Sequence, residues 1–504
     1  MEIELKFEVD AGAAEQLRRA LKLPARPKAL RSVYFDTPDA QLRSAGVALR
    51  VRDDGRRFVQ TVKAAGTGIA RGEWERVLAG PEPDLAGAAD TPLAGALNGC
   101  ADALAPAFET RVDRVVRKLL VHGATVEAAL DRGVIVAGAD DAPILELELE
   151  LKAGEPCALF ALARELSAVA PMNLSFLSKA ERGYALIGGE ALAPVKARDV
   201  DLAADDNAAA AFKGIAVGAL AQVAANARVL RHARRIEALH QLRVGARRLR
   251  SALSLFKPML ADGAVDRIKA ELKWLTKELD DARNLDVFIT ETFRPAAKRH
   301  RDWAGLPALG RALITAQTKA YDRAEAALAS ERFRGLMLET AAWIETGPWT
   351  IDPDEFRTAL RRRPARKAGR DILSTRTAKV LKKGRRLAKL APAPRHKLRI
   401  AAKKLRYACG FFASLYAGEH AKRQRRFVDA MGELQDALGA LTDIAAADGL
   451  TVRLAGVDEK KASAAARLAF AAGLVAGERQ RDEAAALAAA EAAFKRFRGA
   501  KPFW

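Results

Sequence analysis

The pattern of hydrophobic and polar positions changes once along the chain, near residue 190. Before that point, several short segments alternate between apolar and polar side chains with a period of two, which is typical of half-buried β-strands. These segments are Val47–Arg52, Phe58–Lys63, Glu73–Leu78, Val112–Val121, Thr125–Asp131 and Ile144–Lys152. Two segments with helical spacing, Ala13–Leu21 and Pro156–Val169, interrupt them. We therefore expect a β-rich N-terminal region with flanking helices.

Beyond about residue 207 the apolar positions recur every three or four residues, as they do on amphipathic helices. The stretch 188–206 is rich in Gly, Ala and Asp, a composition typical of a linker. A chain of 504 residues is long enough to form two hydrophobic cores. The sequence predicts a multidomain α+β protein with domains over residues 1–190 and 207–504, joined by a linker over 191–206.

The polar faces of the predicted strands are nearly all ionisable. The first strand aligns Glu2, Glu4 and Lys6, and a later strand aligns Glu146, Glu148 and Glu150. Stacked carboxylates repel each other unless cations neutralise them. The pattern therefore predicts a site for metal ions and a multiply charged anion, where oxygen ligands favour Mg²⁺ or Mn²⁺ over zinc. A solvated strand face with cross-strand ion pairs is the alternative interpretation.

The chain carries 84 Lys and Arg against 63 Asp and Glu, a net charge of +21. This excess favours a polyanionic partner, such as nucleic acid, polyphosphate or an anionic membrane surface, although a solvated basic surface would give the same balance. No stretch approaches the length of apolar sequence that a membrane span needs, so we expect no membrane partner. Three scattered cysteines, Cys100, Cys157 and Cys409, and the absence of a signal-like N-terminus indicate the cytoplasm.

Seven segments of the N-terminal half together carry a family resemblance. They are EIELK at 2–6, YFDTP at 34–38, LRSAGVALRVR at 42–52, QTVK at 60–63, RGEWE at 71–75, ELELE at 146–150 and SKAERGY at 178–184. In this order they resemble the CYTH, or triphosphate tunnel metalloenzyme, family. The resemblance implies an eight-stranded antiparallel β-barrel whose tunnel binds a triphosphate.

The resemblance also implies roles for individual residues. The metal ligands would be Glu2, Glu4, Asp131, Glu146 and Glu148. The phosphate-binding residues would be Lys6, Arg50, Arg52, Lys63, Arg114 and Lys179, of which Lys6 and Lys179 would share the catalytic role with Glu2 and Glu4. Glu73 and Glu75 would orient these bases or help to bind a second metal ion, and Glu150 and Lys118 are possible additional members. Strand parity favours Arg114 as the arginine that faces the tunnel, but Arg111 and Arg117 remain alternatives.

Similar proteins hydrolyse inorganic triphosphate, hydrolyse thiamine triphosphate or cyclise ATP. No aromatic cluster is obviously placed to bind a thiazole or adenine ring, although Phe35 and Trp74 are candidates. Because Trp74 faces away from Glu73 and Glu75, we expect it to pack in the core. Metal-dependent hydrolysis of inorganic triphosphate is the leading interpretation, and a non-catalytic barrel that only binds or localises polyphosphate is its rival.

The C-terminal half contains an internal repeat. HQLRVGARRLR at 240–250 matches HKLRIAAKKLR at 396–406, and ELDDA at 278–282 matches ELQDA at 433–437. Two copies predict a helical bundle with pseudo-twofold organisation. Each copy predicts a buried stripe, starting at Leu239 and at Leu398, beside a basic stripe. The basic residues are His240, Arg243, Arg247 and Arg250 in the first copy and His396, Arg399, Lys403 and Arg406 in the second.

This repeat resembles the CHAD domain, an α-helical domain that often follows CYTH. The resemblance implies that the two basic stripes bind polyphosphate, which would also permit association with polyphosphate granules. A solvated helix face or a histidine metal site is the alternative, but both copies lack the acidic residues that solvated faces normally carry. Nucleic acid is a disfavoured partner, because aromatic residues make up only 6% of the chain and could form few stacking platforms.

Overall fold

The fold is taken from a computed structural model that describes residues 2–64, 69–97, 101–260, 262–301, 305–418, 420–455 and 483–504. Cys100 lies outside these residues. The strands are β1 (Glu2–Glu8), β2 (Lys28–Asp36), β3 (Val47–Asp53), β4 (Phe58–Ala64), β5 (Ala70–Arg71), β6 (Glu73–Leu78), β7 (Ala105–Val121), β8 (Ala124–Ala137), β9 (Asp140–Ala153) and β10 (Asn173–Ser175).

Helices flank the strands and form the rest of the chain. The first five are α1 (Ala11–Ala20), α2 (Gln41–Ser44), α3 (Pro92–Leu97), α4 (Cys157–Val169) and α5 (Lys179–Ile187). The remaining helices are α6 (Ala208–His232), α7 (Ile236–Leu255), α8 (Gly263–Glu278), α9 (Asp280–Val287), α10 (Arg294–Arg299), α11 (Leu306–Ala329), α12 (Glu331–Thr346), α13 (Glu355–Arg362), α14 (Ala365–Gly384), α15 (Pro392–Phe411), α16 (Ala421–Ala455) and α17 (Glu483–Gly499). The predicted α+β class, with strands first and helices after, is confirmed.

The strands form one antiparallel sheet in the order β10-β1-β9-β8-β7-β2-β3-β4-β6. Nine strands follow this path, so the predicted count of eight is wrong. The additional strand is β10, which pairs with the second half of β1, where Lys6 lies opposite Ser175. A strand of three residues is too short to show a period-two pattern, which is why the sequence did not reveal it.

The short strand β5 links the last strand of this path, β6, to β1 near its other end. It pairs with β1, and the Glu4 amide donates to the Ile69 carbonyl at 2.9 Å. Gly72 separates β5 from β6, and a Cβ atom at this position would lie 2.7 Å from the Trp74 ring. A side chain at this position would therefore displace the Trp74 ring, where the chain turns from pairing with β1 to pairing with β4.

Apolar side chains of the strands pack on both faces of the sheet. On the outer face, Leu49, Val51 and Val62 form one core cluster with Leu93 and Leu97 of α3. A second cluster joins strand residues of β2, β7, β8 and β9 to α5, and these strand residues lie on the inner face, since Tyr34 is opposite Arg50. Because successive strand residues point to opposite faces, the alternating ionisable side chains point to the inside of the barrel.

The chain divides into two compact units. The first comprises residues 1–197, 217–245 and 328–351, and therefore contains the barrel together with parts of α6 and α7 and all of α12. The second comprises residues 198–216, 246–327 and 352–504. This division follows spatial packing, and the predicted boundaries at 190 and 207 stay a prediction.

The two copies of the repeat form matching helices. Helices α7 and α15 each contain 20 residues, and each carries its motif. The predicted buried stripes are confirmed, since every member is at most 3% exposed. The stripes consist of Leu239, Leu242, Ala246, Leu249, Leu253 and Phe256 in α7 and just after it, and of Leu398, Ala402, Leu405, Cys409 and Phe412 in α15 and just after it.

Among the described residues, α6 is long and apolar enough to cross a membrane by length and composition alone. The expectation that no segment approaches this length of apolar sequence is therefore wrong on that criterion. However, 67% of its apolar window is buried inside the fold. Such burial is typical of a core helix, whose apolar residues face other protein elements.

Candidate active site

The cross-strand register brings the predicted acids and bases to the same interior face. Lys6 of β1 lies opposite Glu148 of β9, and Glu146 of β9 lies opposite Asp131 of β8. Asp131 in turn lies opposite Arg114 of β7. Charged residues that are far apart in the sequence thus form one continuous lining.

Three carboxylates form the acidic cluster, which we define as Asp131, Glu146 and Glu148. One carboxylate oxygen of each lies within 4.8 Å of those of the other two. Asp131 is 0% exposed and Glu146 is 1% exposed. Buried carboxylates at this distance require compensating cations.

Lys179, the first residue of α5, supplies one of these cations. Its Nζ atom lies 2.7 Å from Asp131, 2.5 Å from Glu146 and 3.0 Å from Glu148. A capping box fixes the start of α5, since the Ser178 hydroxyl accepts from the Glu181 amide and the Glu181 carboxylate accepts from the Ser178 amide. The helix start therefore holds Lys179 over the acidic cluster.

Arg114 supplies the second cation. Its guanidinium donates to both oxygens of Asp131, at 2.7 and 2.6 Å, and to Glu148 at 2.6 Å. Arg111 pairs with Glu109, and Arg117 donates to the Leu21 carbonyl. Of the three candidate arginines, Arg114 is the one that contacts the acidic cluster.

These contacts keep Asp131, Glu148, Lys6 and Lys179 charged. Burial raises the pKa of Asp131 and Glu148, but Lys179 and Arg114, joined at Glu148 by Lys6, more than offset it and hold both pKa values below their ordinary range. Burial alone would lower the pKa of Lys179, and the three carboxylates raise it well above its ordinary value. The pKa of Lys6 is raised in the same way by Glu148 and its other carboxylate neighbours.

A second group of cations projects from β3 and β4, and we call Arg50, Arg52 and Lys63 the basic group. Arg50 Nη2 lies 3.9 Å from Glu73, and Arg52 Nη2 lies 3.2 Å from Glu75. The Arg50 Nε atom is buried and donates no hydrogen bond within the described part of the chain. Glu73 and Glu75 thus each lie beside an arginine of the basic group, and their role in orienting these bases or binding a second metal ion stays a prediction.

The two predicted ligands of the first strand lie apart from the acidic cluster but on the same lining. Glu2 is 2.6 Å from Lys63, which also contacts Glu73 at 3.1 Å. Glu4 is 3.5 Å from Lys6, whose Nζ atom is also 3.2 Å from Glu148. The first strand therefore links the basic group to the acidic cluster.

The two possible additional members lie further out. Glu150 pairs with Lys152 at 2.6 Å, and burial raises its pKa. Lys118 is exposed. Neither contacts the acidic cluster or the basic group.

A cluster of five cations lies in the second compact unit, and we call it the helical cation cluster. Its members are Arg250, Lys269, Arg376, Lys379 and Lys404. Burial lowers the pKa of Lys404, and the other four cations lower it further. Arg376 also donates to the Ser254 carbonyl at 3.2 Å, which ties α14 to α7 beside Arg250.

Residues 1–184 match the family model described as the CYTH domain, and residues 215–451 match the model described as the CHAD domain. The chain is a CYTH domain followed by a CHAD domain. Both predicted family resemblances are thereby confirmed, in the predicted order.

Two known proteins are similar to parts of this chain. An inorganic triphosphatase of Haemophilus influenzae is 30% identical over 200 residues, which are 37% of this chain and 54% of that protein. The chain thus matches about half the length of this curated relative. The crystal structure of a CHAD domain from the plant Ricinus communis is 30% identical, with a TM-score of 0.51, and the match covers 60% of this chain and 96% of that domain.

The predicted polyphosphate residues of the CHAD domain lie on two helices, four of them on α7 and four on α15. His240 and Arg243 belong to the first compact unit, whereas Arg247, Arg250 and all four residues of the second copy belong to the second unit. His396 and Arg406 are exposed, and the other predicted residues are half-buried. Of the eight, Arg250 is a member of the helical cation cluster.

Several charged residues of the acidic site and of the helical cation cluster were not predicted from the sequence. Arg182 of the CYTH domain contacts Glu146 at 3.4 Å, and its position three residues after Lys179 on one helix could have revealed it. No sequence motif pointed to Lys269, because it lies outside both copies of the repeat. Arg376 and Lys379 lie in a strongly basic segment whose position in the fold the sequence does not give.

Proposed function

We propose that the CYTH domain hydrolyses inorganic triphosphate with the help of a divalent cation, Mg²⁺ or Mn²⁺. The observation that carries the proposal is the pairing of two charged walls on one barrel lining: the acidic cluster and the basic group. A triphosphate is a linear polyanion, so it needs cations along its length and metal at the oxygens where charge develops. The inorganic triphosphatase relative supports the same reaction.

The donor set of the acidic cluster fits a hard divalent cation. Asp131, Glu146 and Glu148 offer carboxylate oxygens alone, which Mg²⁺ and Mn²⁺ prefer. These three residues would hold the cation, and Glu4 lies on the neighbouring strand as a further oxygen donor. When bound, the cation neutralises charge that develops on the phosphate oxygens.

The side chains of this chain bind and orient the substrate. Arg50, Arg52 and Lys63 grip phosphate oxygens, and the buried Nε of Arg50 is a donor without a protein partner among the described residues. A carboxylate of the lining orients the attacking water in line with the terminal phosphorus. The water oxygen bonds to that phosphorus and its proton passes to the orienting carboxylate, while the phosphoanhydride bond breaks, pyrophosphate leaves and the terminal phosphate is released as orthophosphate. Lys6 and Lys179, both raised in pKa, stay positively charged throughout.

The positions of the aromatic candidates favour inorganic triphosphate over nucleotide or thiamine substrates. Phe35 is 5% exposed and packs in the outer core cluster. Trp74 points away from the lining and is 38% exposed, so the expectation that it packs in the core is wrong. Neither ring is therefore placed to stack on an adenine or a thiazole inside the barrel.

We propose further that the CHAD domain binds polyphosphate. The helical cation cluster supports this, because its other four cations add to burial in lowering the pKa of Lys404, and the Arg376 contact with the Ser254 carbonyl joins α14 to α7. A flexible polyanion relieves that repulsion along its length, as phosphate backbones do for basic surfaces of nucleic-acid-binding proteins.

A phosphate-release assay tests the enzymatic proposal. The full chain is offered inorganic triphosphate, ATP, thiamine triphosphate and long-chain polyphosphate, each with Mg²⁺, Mn²⁺ or EDTA. We expect the highest kcat/KM for inorganic triphosphate and no turnover in EDTA. Faster turnover of thiamine triphosphate or ATP would overturn the choice of substrate. No turnover of any compound with either metal would leave the barrel as a binding domain.

A further inference from the structure

One end of β1 carries a carboxylate that two arginines share. Glu8, the last residue of β1, accepts from Arg228 Nε at 2.7 Å and lies 3.3 Å from Arg231 Nη2. Both arginines lie on α6, three residues apart and on one face of the helix. Arg228 also donates to the Ala191 carbonyl at 3.1 Å. All four residues belong to the first compact unit.

A third guanidinium, that of Arg182 on α5, lies in the same region, because its partner Glu146 is the cross-strand neighbour of Glu8. Arg182 is 8% exposed in its side chain, and its Nη1 atom lies 3.4 Å from Glu146. Its Nη2 atom donates to the Pro143 carbonyl at 2.5 Å. Its Nε atom is buried and has no hydrogen-bond partner within the described part of the chain. A buried donor without an acceptor is costly unless a ligand supplies the acceptor.

The cations of this region outnumber its carboxylates. Glu8 is shared by Arg228 and Arg231, while Glu146, the partner of Arg182, is also bound by Lys179. Burial lowers the pKa of Arg231, and the neighbouring Arg228 and Arg334 lower it further although Glu8 opposes them. Crowded like charges of this kind are stabilised by an anion.

We propose that Arg182, Arg228 and Arg231 form a second phosphate-binding site at this end of the barrel, which the Glu8 carboxylate occupies when no ligand is bound. The ligand is inorganic phosphate or the terminal phosphate group of a phosphoanhydride chain. A phosphate offers more acceptor oxygens and more charge than a carboxylate, so it competes well for guanidinium donors. The site lies outside the basic group and does not depend on whether the barrel hydrolyses triphosphate.

A purely structural ion pair between β1 and α6 is the competing explanation, and the two predict opposite effects of removing Glu8. If Glu8 only joins the elements, Glu8→Gln loosens them and phosphate gains nothing. If Glu8 competes with a ligand, Glu8→Gln removes the competitor and phosphate binds more tightly. Glu339→Gln is the matched control, because Arg164 grips Glu339 through two hydrogen bonds of 2.6 and 2.8 Å in the same unit.

Isothermal titration calorimetry of the full chain with sodium orthophosphate in EDTA measures the phosphate affinity of each variant. We expect Glu8→Gln to raise the phosphate affinity about tenfold, which corresponds to about 1.4 kcal/mol. Glu339→Gln should leave it unchanged, and adding Arg228→Gln and Arg231→Gln to Glu8→Gln should remove the gain. Other cation clusters bind phosphate equally in all these variants, so only the differences count.

Crystals of the full chain soaked in tungstate, a tetrahedral oxyanion with strong anomalous scattering, give the position of the anion directly. We expect a tungstate peak within hydrogen-bond distance of at least two of the three arginines in Glu8→Gln. The proposal is overturned if that peak is absent. It is equally overturned if Glu8→Gln, with an unchanged unfolding temperature, binds phosphate no better than Glu339→Gln.

Discussion

The guanidinium group of Arg114 donates to both carboxylate oxygens of Asp131, at 2.7 and 2.6 Å. The pair joins β7 to β8 inside the barrel, and Asp131 is 0% exposed. A two-point contact fixes the plane of the carboxylate as well as its distance. Arg114 thereby orients a proposed metal ligand and at the same time compensates its buried charge.

Replacing Arg114 with alanine should destabilise the barrel and slow hydrolysis. Loss of one partner leaves the Asp131 charge buried with Lys179 as its remaining cation, and we expect a loss of about 3 kcal/mol in the free energy of unfolding. Urea unfolding followed by circular dichroism measures it. Arg111→Ala is the control, because Arg111 is 64% exposed and pairs with Glu109 on the outside. Equal stability of the two variants would contradict the role of Arg114.

Stability should depend on pH through Glu148. Although burial raises its pKa, Lys179, Lys6 and Arg114 hold it well below the ordinary value. A carboxyl whose pKa is lowered by folding contributes stability that is fully present above its unfolded pKa, about 4, and is lost as the pH falls through the folded pKa. In EDTA, the unfolding temperature of the unchanged protein should therefore drop below about pH 4. Glu148→Gln should be less stable at pH 7 and should show a smaller drop, and parallel curves would contradict this.

The lining of the barrel was predictable strand by strand because side chains alternate with a period of two. The pattern placed Glu2, Glu4 and Lys6 on one face, and the structure confirms that they share it. Register between strands is not local, however. No sequence feature shows that Lys6 lies opposite Glu148 or that α5 returns Lys179 to Asp131.

Short and irregular elements were not predictable for a related reason. The three residues of β10 and the two of β5 are too few to show an alternating pattern, because the alternation does not repeat within them. The helical cation cluster was not predicted from the sequence, because it combines Lys269 of α8 with residues of α7, α14 and α15. A motif reveals cations on one helix, whereas a cluster depends on how several helices pack.

Replacing Glu148 with glutamine should abolish metal-dependent hydrolysis. Glutamine keeps the shape of the side chain but removes the charge with which a carboxylate holds a divalent cation. Phosphate release from triphosphate over a Mg²⁺ titration gives the result. The matched control is Glu109→Gln, a carboxylate on the outer face of the same barrel that also pairs with two arginines. Turnover retained by Glu148→Gln at saturating Mg²⁺ would remove it from the metal site.

Replacing Arg52 with alanine should weaken substrate binding and slow hydrolysis. Arg52 projects from β3 in the basic group and pairs with Glu75 at 3.2 Å, so Glu75 orients it towards the lining. We expect kcat/KM for triphosphate to fall by about 100-fold, with a lower kcat because charge on the phosphate grows in the transition state. The control is Arg57→Ala, whose side chain is 61% exposed in the turn after β3. Unchanged kcat and KM in Arg52→Ala would mean that this residue does not bind the substrate.

Polyphosphate should bind at the helical cation cluster, and reversing two of its charges should show this. Lys379→Glu combined with Lys404→Glu converts two of five crowded cations into anions. Because each phosphate contact releases a condensed counterion, the slope of log affinity against log salt should become shallower by about two. Fluorescence anisotropy with labelled long-chain polyphosphate, measured on the full chain in EDTA, gives both the affinity and the slope.

The same experiment tests which polyanion the CHAD domain prefers. Lys495→Glu serves as the control, because Lys495 is an exposed residue of α17 and is not one of the cations that act on Lys404. In the unchanged protein at physiological salt, long-chain polyphosphate should displace duplex DNA, since a flexible chain can follow crowded cations that a stiff duplex reaches from one side. If duplex DNA displaces polyphosphate at equal phosphate concentration, the domain binds polyanions in general. If Lys495→Glu weakens binding as much as the double variant does, net charge rather than this cluster determines the affinity.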